Sequence, residues 1–368
     1  MRVLVCPDKF RGTLTARQVA EAFATGWRRA RPDDHVEVLP MADGGEGTLE
    51  ALAADPVALR RVRVTGPRGD GTEADLALVG VDTAVIESAM AAGLALLAPE
   101  RRDPLRTTTR GVGELILAAL DHGARRILVC LGGSATNDGG AGMAAALGAR
   151  LLDAGDRPLT DGGAALAGLA RIDLQGMDLR LASVEVIGLT DVDSPLCGPS
   201  GASVTYGPQK GASPDDVVEL DAALARLAVV AAQDLGVDLS HEPGSGAAGG
   251  LGFGLATFCG AKLRPGVASV AEAVGLPAAI GRADLVVTGE GALDATSLRG
   301  KVVGWVLEQA QLASAAAAVV VGRADVVIEG VPVVTLIDEV GEEAAFGDTR
   351  RSVAAVAERM ANGWGGAA

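Results

Sequence analysis

The chain has 368 residues, 49% hydrophobic and 21% charged, which excludes a disordered polypeptide and allows a sizeable core in two domains or one large one. Its 32 basic and 47 acidic residues leave a net charge of −15, a field that repels nucleic-acid backbones and anionic lipid surfaces. Aromatic residues make up 2%, with a single Tyr, so a base-stacking platform is excluded too.

Residues 2–7 form an apolar run that predicts a buried strand and carries no signal-peptide pattern. Val19, Ala20, Phe23 and Trp27 then recur at helical spacing behind Thr15, so a helix is predicted over 16–30 with Thr15 as its N-cap. A strand at 36–41 and a helix at 45–54 complete a β-α-β-α opening, the grammar of a parallel sheet with right-handed crossovers. The pattern changes at 57–66, 73–80 and 83–88, three short strand-like runs separated by Gly-rich turns, which predict a meander or mixed sheet. Helices are predicted at 108–122, 139–152, 214–235 (N-cap Ser213) and 249–259, with strands at 126–131 and 184–189. The β-α alternation returns with strands at 284–288, 317–321 and 331–337 and helices at 300–312 and 350–361. The expected fold is therefore α/β: a parallel-sheet domain from both chain ends, 1–66 and 283–368, with a mixed α/β domain inserted at 67–282. No apolar run reaches the roughly 18–20 residues of a membrane helix.

Cys6, Cys130, Cys197 and Cys259 are far apart and form no C-x-x-C pair, so the expected setting is a reducing cytoplasm. His35, His122 and His241 are scattered and make no metal cluster or Ser-His pair. Glycine is the outlier, with 51 residues gathered in a few loops.

Three of those loops follow predicted strands of the terminal domain: Pro7 to Thr13, Ala42 to Thr48 and Thr288 to Asp294. Ligands bind at the carboxyl ends of strands in open α/β sheets. The loops mix carboxylates, cations and glycines, which suits a metal, a phosphate and a small polar substrate; turns and caps use the same residues. In the inserted region, strand 126–131 runs into Gly132-Gly133-Ser134-Ala135-Thr136-Asn137-Asp138-Gly139-Gly140, where small residues let backbone N–H groups approach an anion, or let the chain turn tightly. Strand 184–189 ends in Thr190-Asp191-Val192-Asp193, which suits a Mg²⁺ site, a base or an Asx turn. Gly244 to Gly249 matches G-x-G-x-x-G, but His241-Glu242-Pro243 precedes it instead of a strand, so it is no dinucleotide fingerprint. There is no P-loop and no H-R-D or D-F-G set. Lys9, Lys210, Lys262 and Lys301 are the only lysines, all in or beside glycine-containing stretches, where a compact charge suits phosphate.

The segments D-K-F-R-G-T-L-T-A (8–16), A-D-G-G-E-G-T (42–48), G-G-S-A-T-N-D-G-G-A-G-M (132–143), D-V-D-S-P-L-C-G-P (191–199), G-P-Q-K-G-A (207–212), G-A-A-G-G-L-G (246–252) and T-G-E-G-x-x-D (288–294) resemble the bacterial class I glycerate kinases. The resemblance implies a flavodoxin-like domain from both chain ends with an inserted mixed α/β domain. It also implies ATP- and Mg²⁺-dependent phosphorylation of D-glycerate, commonly to 2-phosphoglycerate, in an inter-domain cleft of a cytoplasmic monomer or homodimer. The chain departs from the family at Ala292, where Arg is usual, at Ser194, where Asn is usual, near Thr296, where Gln is usual, and after about residue 305. Arg299 or Arg11 is the expected substitute for the absent arginine.

On this basis Asp191 is expected to activate the substrate hydroxyl or hold Mg²⁺ with Asp193 and Glu290, with Asp294 a further candidate. Lys9 and Asp43 are expected to be catalytic. Arg11, Gly44, Gly45 and Glu46 are expected to bind the substrate, and Gly132, Gly133, Ser134, Asn137, Asp138 and Lys210 the ATP phosphates. Two other classes stay open: an NAD-dependent oxidoreductase, and a relative that binds nucleotide or acid without turnover.

Overall fold

The computed structural model describes residues 1–45, 47–52 and 59–364. Packing divides them into two units. One comprises the described residues of Met1–Asp43, Glu50–Leu52 and Pro265–Ala368, the other those of Gly44–Leu49 and Ala53–Arg264.

The first unit is built on a five-stranded, fully parallel sheet in the order Val333–Thr335, Ala316–Val321, Leu285–Thr288, Arg2–Val5, His35–Val38. Counted along the chain, this is the flavodoxin-like order 2-1-3-4-5. The central strands are apolar on both faces, as a parallel sheet covered on both sides requires: all four residues of Leu285–Thr288 are buried. The helix Ala16–Ala30 starts at Thr15, whose hydroxyl accepts from Gln18 N while the Gln18 side chain accepts from Thr15 N. Its buried Phe23 and Trp27 stack with ring centroids 5.6 Å apart. Gly26 packs on the helix Thr349–Gly363 so closely that a Cβ would stand 1.9 Å from Ala354 O.

The second unit holds a six-stranded mixed sheet, Lys262–Arg264, Glu185–Leu189, Arg126–Cys130, Thr83–Glu87, Gly71–Val79, Leu59–Thr65. The last three strands form the expected antiparallel meander, and the others pair in parallel. The strand Leu59–Thr65 belongs here because it pairs along its whole length with Gly71–Val79. The sequence boundary at 66/67 therefore runs past the element that opens this unit, and that at 282/283 past the helices Gly266–Ala273 and Leu276–Ile280 of the other.

Other differences are local. The helix expected over 139–152 is only Ala141–Ala146. Gly148 ends it at φ +104°, where a Cβ would meet Gly176 O at 2.0 Å, and the chain continues as the strand Arg150–Leu152. The strand expected at 331–337 shortens to Val333–Thr335, because Thr335 caps the helix Leu336–Val340 by accepting from Asp338 N. Of the helix expected at 45–54, Thr48–Leu52 is described. All four cysteines are free, and among the described residues no helix is long and apolar enough to cross a membrane.

Candidate active site

A pocket of about 500 Å³ lies in the first unit, lined by residues that follow all five parallel strands. Asp8 to Arg11 and Thr13 come from the loop after Arg2–Val5, and Asp43 from the loop after His35–Val38. Glu290, Gly291 and Ala292 follow Leu285–Thr288, and Gly322 and Arg323 follow Ala316–Val321. Leu336 and Ile337 follow Val333–Thr335 and, with Phe10, Ala345 and Phe346, give the pocket an apolar side. Strand order reverses between Arg2–Val5 and Leu285–Thr288, so this is the switch point at which open α/β sheets bind ligands.

Backbone bonds fix the loops. Asp8 N donates to Gly289 O at 2.8 Å and Met41 N to Pro7 O at 2.9 Å. Phe10 and Leu14 exchange both backbone bonds, at 2.9 and 3.0 Å, which makes the tight turn that exposes Arg11.

The electrostatics centre on carboxylates. Burial, then the neighbouring charge of Asp43, raise the Asp8 carboxyl to about 7; Glu290 adds to this, while the N–H of Lys9, donated to Asp8 Oδ1 at 2.7 Å, works against it. Burial likewise raises Glu290, and its Oε1 is buried with no hydrogen-bond partner among the described residues. Lys9, Arg11, Lys301 and Arg323 line the same pocket. Like charges crowded together and an orphaned oxygen are what a bound cation would relieve, so the donors fit a hard divalent ion. Among the described residues no three His, Cys, Asp or Glu side chains form a ready metal cage. Mg²⁺ held by one or two carboxylates plus phosphates and water needs none.

Of the residues singled out from the sequence, the structure brings Lys9, Arg11, Asp43 and Glu290 into this one pocket. Asp294 is spent on a turn. Its Oδ1 accepts from Thr296 N at 2.7 Å, Thr296 Oγ1 at 2.6 Å and Ser297 N at 3.0 Å, and these bonds pull it down to about 2. Gly44 and Gly45 pack with the second unit, where Gly45 O accepts the Thr48 hydroxyl at 2.7 Å; Glu46 lies outside the described residues.

The remaining sites are in the second unit. Asp191 and Asp193 are exposed beyond the strand Glu185–Leu189. In the loop after Arg126–Cys130, Gly132 is half-buried and Gly133 exposed, whereas Ser134, Asn137 and Asp138 are buried. Asn137 Nδ2 donates to Ser203 Oγ at 2.9 Å. Lys210 is also buried, its Nζ donating to Ser134 Oγ at 2.9 Å and Thr136 O at 2.7 Å, and burial lowers it to about 7. The G-x-G-x-x-G segment packs behind this loop. Gly249, at φ +71°, stands where a Cβ would meet Thr136 O at 1.9 Å, so its glycines serve close backbone contact.

Sequence reasoning passed over Asp8, Lys301 and Arg323 as site residues. Asp8 lies beside Lys9 in a loop already singled out, and Lys301 is one of the glycine-flanked lysines. Arg323 follows the strand Ala316–Val321, so the strand-end rule applied to the other loops would have reached it.

A family model described as the glycerate kinase family matches residues 3–364. A glycerate kinase from Haemophilus influenzae is 46% identical over 303 residues, 82% of this chain and 80% of that protein. A glycerate 2-kinase from Escherichia coli K12 is 47% identical over 304 residues, again 82% and 80%. A crystal structure of a protein provisionally assigned as glycerate kinase 2 from Salmonella typhimurium LT2 superimposes with a TM-score of 0.90 at 42% identity, covering 98% of this chain and 97% of that one. With a match across almost its whole length and relatives this similar, the chain belongs to the glycerate kinase family.

Proposed function

We propose that the chain transfers a phosphoryl group from ATP to a hydroxyl of D-glycerate, giving 2-phosphoglycerate. The observation that carries this reading, beside the family, is the pocket at the switch point. It sets the Asp8, Asp43 and Glu290 carboxylates among Lys9, Arg11, Lys301 and Arg323. Phosphoryl transfer asks for positioning and charge neutralisation more than covalent help.

Asp8 is the proposed acceptor of the hydroxyl proton. A carboxyl titrating near 7 is matched to that task, whereas an ordinary carboxylate is a weak base. Lys9 and Arg11 meet the charge on the transferring phosphoryl group. Asp43, with Gly44, Gly45 and Glu46, orients the substrate hydroxyls. Glu290 is the proposed Mg²⁺ ligand in the pocket, and Asp191 and Asp193 are proposed Mg²⁺ ligands on the second unit; the ion when bound would neutralise phosphate charge. Gly132 and Gly133 are the proposed backbone contacts to phosphate. Ser134, Asn137, Asp138 and Lys210 hold that loop from inside. Four free thiols suit the proposed cytoplasmic setting.

The test is ADP release from ATP and Mg²⁺ with D-glycerate, L-glycerate, glycolate, lactate and tartronate. Release with D-glycerate alone supports the reading. Silence across the panel from folded protein sinks it and selects a relative that binds without turnover, the reading that Ala292 favours.

A further inference from the structure

One corner of the pocket holds an arginine to which the roles above give no ligand. The two-residue strand Ala292–Leu293 runs parallel to Arg323–Ala324, with Ala292 directly opposite Arg323. Arg323 N donates to Gly291 O at 3.2 Å, and Asp325 N to Leu293 O at 2.8 Å. A Cβ on Gly322 would stand 2.5 Å from Gly291 O, so glycine there lets the two chains close up and fixes where Arg323 leaves the backbone. The Arg323 guanidinium has no ion pair or hydrogen bond with any described residue, although it borders a pocket with four carboxyl groups, whereas Lys301 in the same pocket donates to Thr296 Oγ1 at 3.0 Å. Beside it, Ala292 contributes only a methyl group.

The strands that lead to Asp8 and Arg323 are two places apart in the sheet, with Leu285–Thr288 between them. Parallel neighbours are about 4.8 Å apart, so the two strand ends are separated by roughly 10 Å. The pocket of about 500 Å³ that both residues line has room for a small acid beside the arginine side chain. The planar fork of arginine matches a carboxylate through two parallel N–H donors.

We propose that Arg323 is a specificity-determining residue that binds the carboxylate of the acid substrate, with Ala292 keeping the space in front of it open. This rests on the acid-kinase reading above. The shared chemistry is anion binding, and a nucleotide phosphate is the competing source.

The experiment compares wild type, Arg323→Ala, Arg323→Lys and the double variant Arg323→Ala/Ala292→Arg. ADP-release kinetics and calorimetric binding of D-glycerate are both measured, with the neutral glyceramide as a control substrate. Arg323 is exposed, so folding should survive, and a melting curve verifies it. Arg323→Ala is expected to raise the KM and Kd for D-glycerate roughly 10- to 100-fold, with the KM for ATP held within about twofold. Glyceramide is expected to lose nothing. Arg323→Lys should fall between, and moving the arginine across the ladder to 292 should restore acid binding, which a merely structural role would not do. An unchanged KM for D-glycerate, a rise in the KM for ATP instead, or an equal loss with glyceramide would overturn the proposal while leaving the kinase reading intact. Wild-type protein that neither binds nor turns over D-glycerate sinks both.

Discussion

Thr109 and Asp138 meet twice: Oδ2 of the buried Asp138 accepts from the Thr109 backbone N–H at 2.8 Å and from its hydroxyl at 2.9 Å. The same carboxylate accepts from Gly140 N at 3.1 Å and Gly142 N at 3.2 Å, and the Thr109 hydroxyl in turn accepts from Met143 N at 3.0 Å. The Gly-rich loop is thereby clamped to the start of the helix Arg110–Asp121. Asp138→Ala would leave several buried donors unpaired and should cost about 3–5 kcal/mol in denaturant unfolding. A cost under about 1 kcal/mol would show that the clamp is dispensable.

Asp8 makes a pH prediction with two signs. Its carboxyl is raised to about 7 by burial and by Asp43, so between about 4 and 7 the native state holds a proton that the unfolded chain has released. Stability therefore falls as pH rises through that window. Asp8→Asn should be the more stable protein at pH 8 by about 1–2 kcal/mol, after discounting for partial exposure. Turnover has the opposite slope: kcat/KM of wild type should climb to a plateau above about pH 7, and Asp8→Asn should lose that limb with most of its activity. An unchanged pH profile in the variant would remove Asp8 from the role of base.

Lys210 behaves in the reverse direction. Burial lowers its ammonium to about 7, so from there up to the ordinary lysine range the unfolded chain binds the extra proton and stability rises with pH. Lys210→Met leaves Ser134 Oγ and Thr136 O without their donor and should cost about 1–3 kcal/mol at pH 9. The cost should shrink at pH 6, where wild type must bury the charge. Equal costs at both pH values would mean that Lys210 is not desolvated in solution.

Asp191 is exposed, so its replacement spares the core. Asp191→Asn should keep the wild-type melting temperature and lose kcat by about two orders of magnitude or more, as expected for a ligand of the metal that neutralises phosphate charge. Near-normal turnover at saturating Mg²⁺ would remove it from the site.

What lay within a few residues of sequence was legible there. Thr15 and Ser213 cap the helices Ala16–Ala30 and Pro214–Leu235 because a cap needs only a side chain and the N–H three positions on. The buried strands Arg2–Val5, Arg126–Cys130 and Leu285–Thr288 announced themselves by apolar runs, and the parallel sheet followed from their alternation with helices. The gathering of Lys9, Arg11, Asp43 and Glu290 followed from one rule about strand ends. The rest was decided at long range. A carboxyl such as Asp8 becomes a candidate base only when Asp43 and Glu290, far away in sequence, crowd it in a partly desolvated corner. Lys210 is of a surface residue type, and only packing buries it against Thr136. The glycine at 148 ends a helix because Gly176 occupies the space of a side chain. Arg323 faces Ala292 only because two short strands pair, and hydrogen-bond register between distant segments is a property of the folded sheet, not of either segment alone.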